Sequence, residues 1–444
     1  MSIERRVFVK QGAIALVALG LPPRFLARTL FAESRREGRQ KTVLFIFQRG
    51  AVDGLSMVVP YGEKAYYGLR RSIALERPQR GAEGAILDLD GFFGLHPSLA
   101  PLAELFSRRE MAIVHACGSP HPTRSHFDAQ DFMETGTPGF KSTRDGWLNR
   151  LLSETACECS GRTLVNPSAH AADHASGQLS MAEASALRGI SVGTPQMPRA
   201  LAGSYPTLSI PDLRSFGVAG GRDPALEAAF RRMYRTDSGD LVAGPANESF
   251  EAIDILKRAD PLKYHPREGV EYPAGRFGQS LRQVAQLIKA DVGLEVAFTD
   301  IGGWDTHFAQ GGAQGPLANR LREFARGIRA FYEDLGDRME DVVLVTMSEF
   351  GRTVAENGSG GTDHGHGNCM FVLGGATAGG RVVGDWPGLE REQLYEGRDL
   401  AITTDFRDVF SEVVSDHLGA RSLDRVFPGF ASARERWRGL LAAR

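Results

Sequence analysis

The chain has 444 residues, of which 42% are hydrophobic and 24% are charged. This length predicts one large α/β domain or two domains, and the composition excludes a small disulfide scaffold, a disordered chain, collagen and a coiled coil. The 52 basic side chains nearly balance the 54 acidic ones, so the bulk charge gives no reason to expect a nucleic-acid partner.

Residues 1–32 are predicted to be an export signal and not part of the fold. The pair Arg5-Arg6 precedes the apolar run 13–21, which is too short to span a bilayer and ends at Pro22-Pro23. This pattern resembles a bacterial twin-arginine signal, and an N-terminal helix with chance arginines is the alternative. We therefore expect the twin-arginine export machinery as a partner, a periplasmic or secreted location, and no stable membrane span in the mature chain.

The rest of the chain alternates strand-like and helix-like stretches. Continuous apolar runs predict buried strands at 43–47, 111–116, 294–299 and 342–346, with a further apolar run at 369–373. Helical spacing predicts helices at 101–106, 277–288, 317–335 and 404–418, the last with a Thr404 cap and a stop at Gly419. Strand, long helix and strand follow one another between residues 294 and 346, in the order of a βαβ crossover. The predicted fold class is therefore α/β, with a large, mostly parallel central sheet flanked by helices.

Residues 157–250 are rich in Ala, Ser, Gly and Pro and lack strong periodicity. This composition predicts an insertion or cap region that selects the substrate, within one α/β domain over residues 41–444. Cys117 and Cys369 lie in separate apolar runs, and we interpret both as buried small hydrophobic residues.

Polar side chains that could react or bind a metal cluster directly after the predicted strands. Open parallel sheets place their ligand sites at this edge. In chain order these side chains are Asp53; Ser119, Thr123, Arg124, Ser125, His126 and Asp128; Asp300, Asp305 and His307; Ser348, Glu349 and Arg352; and Asp363, His364 and His366. Carboxylates and imidazoles two residues apart, with glycines between them, suit a zinc or other transition-metal site. The alternatives are a polar loop for His364 and His366, a helix-capping carboxylate for Glu349 and a helix cap for Ser125.

Six segments carry a resemblance to the bacterial domain of unknown function 1501 family. They are RGAVDGL at 49–55, TRSHFDAQD at 123–131, GWLNR at 146–150, GWDTH at 303–307, SEFGRT at 348–353 and DHGHGN at 363–368. The resemblance covers essentially the whole chain from Lys41 onward and includes the twin-arginine start.

That family is similar to the alkaline phosphatase and sulfatase superfamily, whose fold is a large sheet with helices on both faces. The resemblance implies an alkaline-phosphatase-like fold that binds one or two divalent metals. The implied metal ligands are Asp53, Asp305, His307, Glu349, Asp363, His364 and His366. Pro122-Thr123-Arg124, with Thr135-Gly136 further on, is similar to the sulfatase signature, but the reactive cysteine is missing. The nucleophile would then be Ser125, Thr123 or Ser119.

These residues predict a metal-dependent hydrolase of phosphate or sulfate esters, whose substrate is an anionic small-molecule or polysaccharide ester. A divalent zinc, manganese, calcium or magnesium ion would offset the charge on the ester oxygens. Ser125 would attack, and Arg124 would hold the anion through two parallel hydrogen bonds.

One alternative is a non-catalytic exported binding or scaffold protein that keeps the phosphatase-like fold. An exported oxidoreductase fits less well, because the sequence has no dinucleotide-binding glycine turn and no haem or iron–sulfur cysteine spacing.

Overall fold

The computed structural model of the chain describes residues 39–79, 81–159, 186–194, 196–216, 250, 252–257 and 259–442. The predicted export signal at 1–32 and most of the predicted insertion at 157–250 lie outside these residues. No helix in the described ranges has the length and apolar character needed to cross a membrane.

A large sheet forms the centre of the described fold. The strands in chain order are β1 (Thr42–Gln48), β2 (Val58–Val59), β3 (Leu87–Asp88), β4 (Gly94–Leu95), β5 (Met111–Gly118), β6 (Gly189–Val192), β7 (Leu208–Ile210), β8 (Val296–Ile301), β9 (Val342–Met347), β10 (Asn368–Gly374), β11 (Arg381–Val383) and β12 (Thr404–Asp405). The main sheet of the described residues has nine strands in the order β11-β5-β10-β9-β1-β8-β6-β7, with β12 paired to β5. Strands β2, β4 and β3 form a small separate sheet.

Helices connect these strands. In chain order they are α1 (Gly54–Met57), α2 (Lys64–Leu69), α3 (Ala100–Ser107), α4 (His126–Thr135), α5 (Trp147–Cys159), α6 (Arg276–Lys289), α7 (Pro316–Leu335), α8 (Phe406–Leu418) and α9 (Leu423–Val426). The strands and helices predicted from periodicity agree with these bounds to within about two residues, because apolar spacing follows burial closely in such segments.

The main sheet is parallel except at β10, which runs antiparallel to both of its neighbours. The pairs of β1 with β8 and with β9 are parallel, as the βαβ order predicted. This confirms a mixed α/β architecture with a large, mostly parallel sheet. Because β10 is reversed, its amino end lies at the same sheet edge as the carboxyl ends of the other strands.

Helices cover both faces of the sheet, and the alternation along β1 shows why. Leu44 and Ile46 enter the core beneath α6 and α7, whereas Val43, Phe45 and Phe47 enter the core beneath α5 and α8. The Phe45 ring makes an edge contact with Trp147 at 4.9 Å between ring centroids. Full burial of such a side chain contributes roughly 2 kcal/mol to folding. A strand buried on both faces has to be a continuous apolar run, as 43–47 is.

Two local predictions are corrected. The side chain that caps α8 is Asp405, which accepts a hydrogen bond from the Arg407 N–H at 2.9 Å, whereas Thr404 pairs with Cys117 in the sheet. Gly419 does end this helix, with a φ of 79°. Cys117 and Cys369 are buried and free, as predicted.

The described part of the predicted insertion belongs to the sheet. Strands β6 and β7 add to the edge of the main sheet, parallel to β8. Residues 189–192 and 208–210 are therefore strands of the main sheet. These strands were not predicted from the sequence because runs of three and four residues carry almost no periodic signal.

Candidate metal centre

Three loops meet at the carboxyl edge of the sheet and bring one aspartate and three histidines together. Asp305 and His307 follow β8, and His126 is the first residue of α4, which follows β5. His364 precedes β10, whose reversed direction places its start at this edge. A bridge between Arg352 and His364 joins the last loop to the segment that follows β9. The sheet order therefore brings together four residues from three segments that are far apart in the chain.

The Oδ1 atom of Asp305 is the centre of this cluster. The Nε2 atoms of His307, His364 and His126 lie 3.0, 3.3 and 3.6 Å from it. The Nε2 atoms of His307 and His364 are 2.9 Å apart. Ligand atoms of His126, Asp305 and His364 all lie within 4.8 Å of one another. We call these four residues the Asp305 cluster.

The other ring nitrogen of each histidine has an oxygen partner. The Nδ1 partners are Glu349 Oε1 at 2.7 Å from His126, Asp363 Oδ1 at 2.7 Å from His307, and the Arg124 carbonyl oxygen at 2.8 Å from His364. A ring that donates from Nδ1 has a lone pair at Nε2 in its neutral form. Hydrogen bonds of this kind orient metal-ligating histidines and fix their tautomer. All three histidines are thus held with Nε2 facing the Asp305 carboxylate.

The spacing of these atoms suits a single cation. Zinc binds imidazole nitrogen at about 2.0–2.1 Å, so two ligands of a tetrahedral ion are roughly 3.3 Å apart. The contacts in the Asp305 cluster range from 2.9 to 3.6 Å. The Nε2 atom of His126 is buried and has no hydrogen-bond partner among the described residues, which is costly unless a cation meets it. Two lone pairs facing each other, on His307 and His364, also require a cation or a shared proton between them. The residues present therefore fit a divalent transition metal.

Arg352 holds the central carboxylate in place. Its buried guanidinium donates through Nη2 to Asp305 Oδ1 at 2.5 Å and to the carbonyl oxygens of Gly50 at 2.7 Å and Trp304 at 3.1 Å. Burial by itself would raise the pKa of Asp305, but the hydrogen bond and charge of Arg352 hold this pKa below its usual range. Asp305 is therefore ionised at neutral pH, as a metal ligand has to be.

Phe350 packs against two of the imidazoles. Its ring stacks on His126, with 5.0 Å between centroids and 29° between planes, and lies 5.1 Å from the His364 ring. The side chain is buried with Ala51 and Ala129. Phe350 therefore serves as the apolar support of the His126 and His364 rings.

Glu349, a predicted ligand, instead binds the histidine that it supports. Its buried Oε1 accepts hydrogen bonds from His126 at 2.7 Å, from Gln130 Nε2 at 2.9 Å and from the Gly50 N–H at 2.8 Å. Burial opposes ionisation, but these hydrogen bonds hold the pKa of Glu349 below its usual range. Gly50 has a φ of +115°, and a Cβ there would lie 3.0 Å from the Asp305 nitrogen, so the turn requires glycine. Asp363, another predicted ligand, also bonds a cluster histidine, with its Oδ1 at 2.7 Å from His307 Nδ1.

Asp53, another predicted ligand, lies in a separate ion pair. Its Oδ2 accepts hydrogen bonds from Arg70 Nη1 at 2.6 Å, Ser56 Oγ at 2.7 Å and Gln310 Nε2 at 2.7 Å. Its Oδ1 accepts from Arg70 Nη2 at 3.0 Å. Both carboxylate oxygens are satisfied inside the protein, so the structure places Asp53 in an ion pair outside the Asp305 cluster. Its cation is Arg70.

Arg124 does not offer a free guanidinium to an anion. Its Nε and Nη2 atoms donate to Asp399 Oδ2 at 3.0 and 2.7 Å, and Nη2 also contacts Glu396 at 2.6 Å. Two carboxylates therefore neutralise the group that was predicted to bind the substrate. Arg124 contributes its carbonyl oxygen to the site, and this oxygen accepts the hydrogen bond from His364.

Ser125 is exposed and lies directly before His126, the first residue of α4. Its side chain makes no capping hydrogen bond to the helix. The alternative that Ser125 only caps the helix is therefore corrected. Thr123 Oγ1 accepts the Ser125 N–H at 3.2 Å, and Ser119 Oγ accepts the His121 N–H at 3.5 Å. Of the three candidate nucleophiles, Ser125 is the one adjacent to a cluster histidine.

His366 lies outside the cluster. Its ring stacks on Tyr395 with 4.3 Å between centroids, and burial lowers its pKa to about 4. His366, a predicted metal ligand, is thus packed against Tyr395 and is not among the residues that meet at Asp305. The His364 ring is the one that bonds a backbone oxygen, that of Arg124.

His126 was not among the metal ligands predicted from the sequence. It stood in the polar segment after the second predicted strand, with Asp128 two residues further on. His364 reaches His126 at this edge because β10 is reversed. No local sequence pattern reveals that reversal.

A family model described as "Protein of unknown function (DUF1501)" matches residues 217–424, which include Asp305, His307 and His364. This match confirms the predicted resemblance over these residues.

No curated protein matches the chain. Among solved structures, the chain is similar to the C-terminal periplasmic domain of EcEptC from Escherichia coli in complex with Zn, at 8% identity and a TM-score of 0.33, over 76% of this chain and 74% of that chain. It is also similar to the PsFucS1 sulfatase from Pseudoalteromonas sp., at 12% identity and a TM-score of 0.34, over 89% of this chain and 72% of that chain.

Proposed function

We propose that this chain is a metal-dependent hydrolase of phosphate or sulfate esters that holds one divalent cation in the Asp305 cluster. The observation that carries the proposal is the set of three imidazoles around one ionised carboxylate, each with its Nδ1 bonded to an oxygen acceptor. Three nitrogen donors favour zinc, because manganese, calcium and magnesium suit oxygen ligands. Manganese is the second candidate, since it is a transition metal and the Asp305 carboxylate offers it oxygen.

The bound cation would supply positive charge to the non-bridging oxygens of the ester. The substrate anion would also lie at the start of α4, where backbone N–H groups without a side-chain cap favour negative charge. In this proposal the helix end takes the role that was predicted for Arg124. Ser125 lies directly before the first helical residue, which supports a position of its hydroxyl near the same anion.

Ser125 is the proposed nucleophile. Its Oγ would form a bond to phosphorus or sulfur as the bond to the leaving alcohol breaks, and the alcohol would depart with the proton of the hydroxyl. Water would then cleave the seryl ester and restore Ser125. Because Arg352 and the outer partners of the histidines hold the donors in place, the site would be preorganised for the charge that develops.

The proposal includes an alkaline-phosphatase-like fold over residues 41–444 and a twin-arginine signal at 1–32. The twin-arginine machinery carries folded proteins, which suits a centre built from three distant loops. The mature protein would then act in the periplasm or outside the cell on an anionic small-molecule or polysaccharide ester.

Metal analysis of the purified full chain, paired with turnover of aryl phosphate and aryl sulfate esters, tests this proposal. We expect about one zinc or manganese ion per chain and metal-dependent turnover. His364→Ala should lose both, whereas His366→Gln, two residues away on the same loop, should keep both. Ser125→Ala should keep the metal and lose turnover. A chain that binds no transition metal at full supply contradicts the proposal.

One observation favours a second candidate, a non-catalytic binding protein. The guanidinium of Arg124 is already paired with Asp399 and Glu396, so the predicted clamp for the anion is closed. A chain that binds the metal stoichiometrically but turns over neither class of ester would support this second function.

A further inference from the structure

A buried glutamine joins two of the loops that meet at the Asp305 cluster. Gln310 lies on the loop between β8 and α7, which also carries Asp305 and His307. Its Oε1 atom accepts hydrogen bonds from the Thr306 hydroxyl of the same loop and from the Thr362 hydroxyl of the loop before β10, both at 2.8 Å. All three of these side chains are buried. One oxygen atom therefore ties the two loops together.

The backbones of the same two loops also lie against each other. The Thr362 N–H donates to the Thr306 carbonyl oxygen at 3.1 Å. A Cβ on Gly361 would clash with the backbone of His307, so the loops approach as closely as a glycine allows. The two loops therefore form one packed unit, and a shift of either loop would move the side chains attached to it.

The orientation of the Gln310 amide is set at its other end. Its Nε2 atom donates to Asp53 Oδ2 at 2.7 Å, and the Asp53 carboxylate is paired with Arg70. An ionised carboxylate only accepts hydrogen bonds, so Nε2 has to face Asp53 and Oε1 has to face the threonines. Both hydroxyls must then donate to Gln310. An amide that is bonded at both ends in the protein interior has one defined position.

The candidate metal site spans the seam between these two loops. His307 belongs to one loop and His364 to the other, and their Nε2 atoms are 2.9 Å apart across the seam. Distances between a metal and its ligands are fixed to within about 0.2 Å. The spacing of the loops therefore decides whether both histidines can reach one ion.

We propose that Gln310 is a positioning residue of the metal centre, which sets the spacing of the two loops through Thr306 and Thr362. It thereby sets the distance between the imidazoles of His307 and His364. This inference rests on the proposed function, because it concerns the cation of the Asp305 cluster. Gln310 does not bind that cation itself, since both ends of its amide are bonded inside the protein.

The zinc affinity of the full chain, measured by competition with a chromophoric chelator, tests the inference. Gln310→Met keeps a similar volume but cannot accept from the two hydroxyls. We expect it to bind zinc about tenfold more weakly, at the lower end of the range for outer partners of a metal site. The double variant Thr306→Val and Thr362→Val removes the same two hydrogen bonds and should show the same loss. The double variant Thr306→Ser and Thr362→Ser keeps both hydroxyls and should bind zinc as the unchanged chain does.

Thr42→Val is the matched control. Thr42 is buried, and its hydroxyl donates to the Leu294 carbonyl oxygen at 2.8 Å. It is the first residue of β1, at the edge of the sheet opposite the cluster. This variant should lower the urea midpoint of the metal-free chain and leave zinc affinity unchanged. A general loss of stability therefore cannot imitate the expected result.

The outcomes separate the two proposals. Zinc affinity that is unchanged in Gln310→Met, or that falls as much in Thr42→Val, overturns the inference and leaves the metal centre intact. Failure of the unchanged chain to bind zinc overturns the proposed function, and this inference with it. If Gln310→Met does not fold, the two double variants decide. Weak binding with valine and restored binding with serine support the inference, and equal binding with both overturns it.

Discussion

Asp53 and Asp305 both follow strands at the carboxyl edge of the sheet, yet the structure uses them in opposite ways. Asp53 is fully buried, and the guanidinium of Arg70, also fully buried, pairs with it. Asp305 is half-exposed, and three imidazole nitrogens face it. Asp53 is enclosed with its counterion, whereas Asp305, which also pairs with the buried Arg352, keeps a side that is open to solvent and faced by three imidazoles. The open side, and not the carboxylate itself, distinguishes the two positions.

The largest expected effect is on stability, at the Asp53 pair. Asp53→Ala leaves the Arg70 charge buried and unpaired, so we expect a loss of about 3–5 kcal/mol in the free energy of unfolding. Urea unfolding measures this loss, and the metal content of the folded protein should not change. Adding Arg70→Met should restore much of the stability. A loss below about 1 kcal/mol would show that the pair is not structural.

Asp305→Asn should show the opposite pattern. Removal of the central charge should weaken zinc binding by at least about 100-fold, more than is typical for outer partners of a metal site. The unfolding free energy of the metal-free protein should fall less than in Asp53→Ala, because asparagine keeps an oxygen that accepts from Arg352 and the Asp305 side chain is half-exposed. Competition with a chromophoric chelator gives the affinity. Unchanged affinity would remove Asp305 from the site.

Glu349→Gln tests the outer partners. Glutamine keeps an oxygen that accepts the His126 hydrogen bond but lacks the charge that strengthens it, so we expect zinc affinity to fall about 10- to 100-fold. Glu396→Gln, in an exposed ion pair with Arg124, is the control and should leave affinity nearly unchanged. Equal effects of the two substitutions would argue against a specific role for Glu349.

The smallest effect concerns pH and a buried histidine away from the cluster. Burial lowers the pKa of His115 to about 4, and its Nδ1 accepts the Ala116 N–H. The folded pKa lies below the unfolded value of about 6.5, so this contribution to stability is complete above about pH 6.5 and declines as pH falls toward about 4. Near pH 5.5 the loss should be on the order of 1 kcal/mol. His115→Gln should flatten this dependence in urea unfolding, and an unchanged slope would show that His115 does not cause it.

The sequence made the sheet predictable because its central strands are buried on both faces and therefore read as continuous apolar runs. The loops that carry Asp305, His307 and His364 were also predictable, since they follow or precede those runs. The reversal of β10 and the edge strands β6 and β7 were not predictable, because long-range pairing leaves no local periodicity.

The roles of individual side chains were harder to predict than their location. Asp53, Glu349 and His366 have the chemistry of ligands, and the sequence cannot show that Arg70, His126 and Tyr395 are their respective partners. His126 was not predicted as a ligand, because the residues that meet it, Asp305 and His364, lie on other loops. Choosing among these residues requires the distances between loops.

Crystals of zinc-loaded protein, measured at the zinc absorption edge, test the central claim most directly. The account predicts one anomalous peak about 2.0–2.1 Å from the Nε2 atoms of His126 and His364, beside Asp305. Ordered side chains in the same arrangement with no anomalous peak among them would mean that the histidines share protons, and would contradict the claim that this edge of the sheet holds a metal.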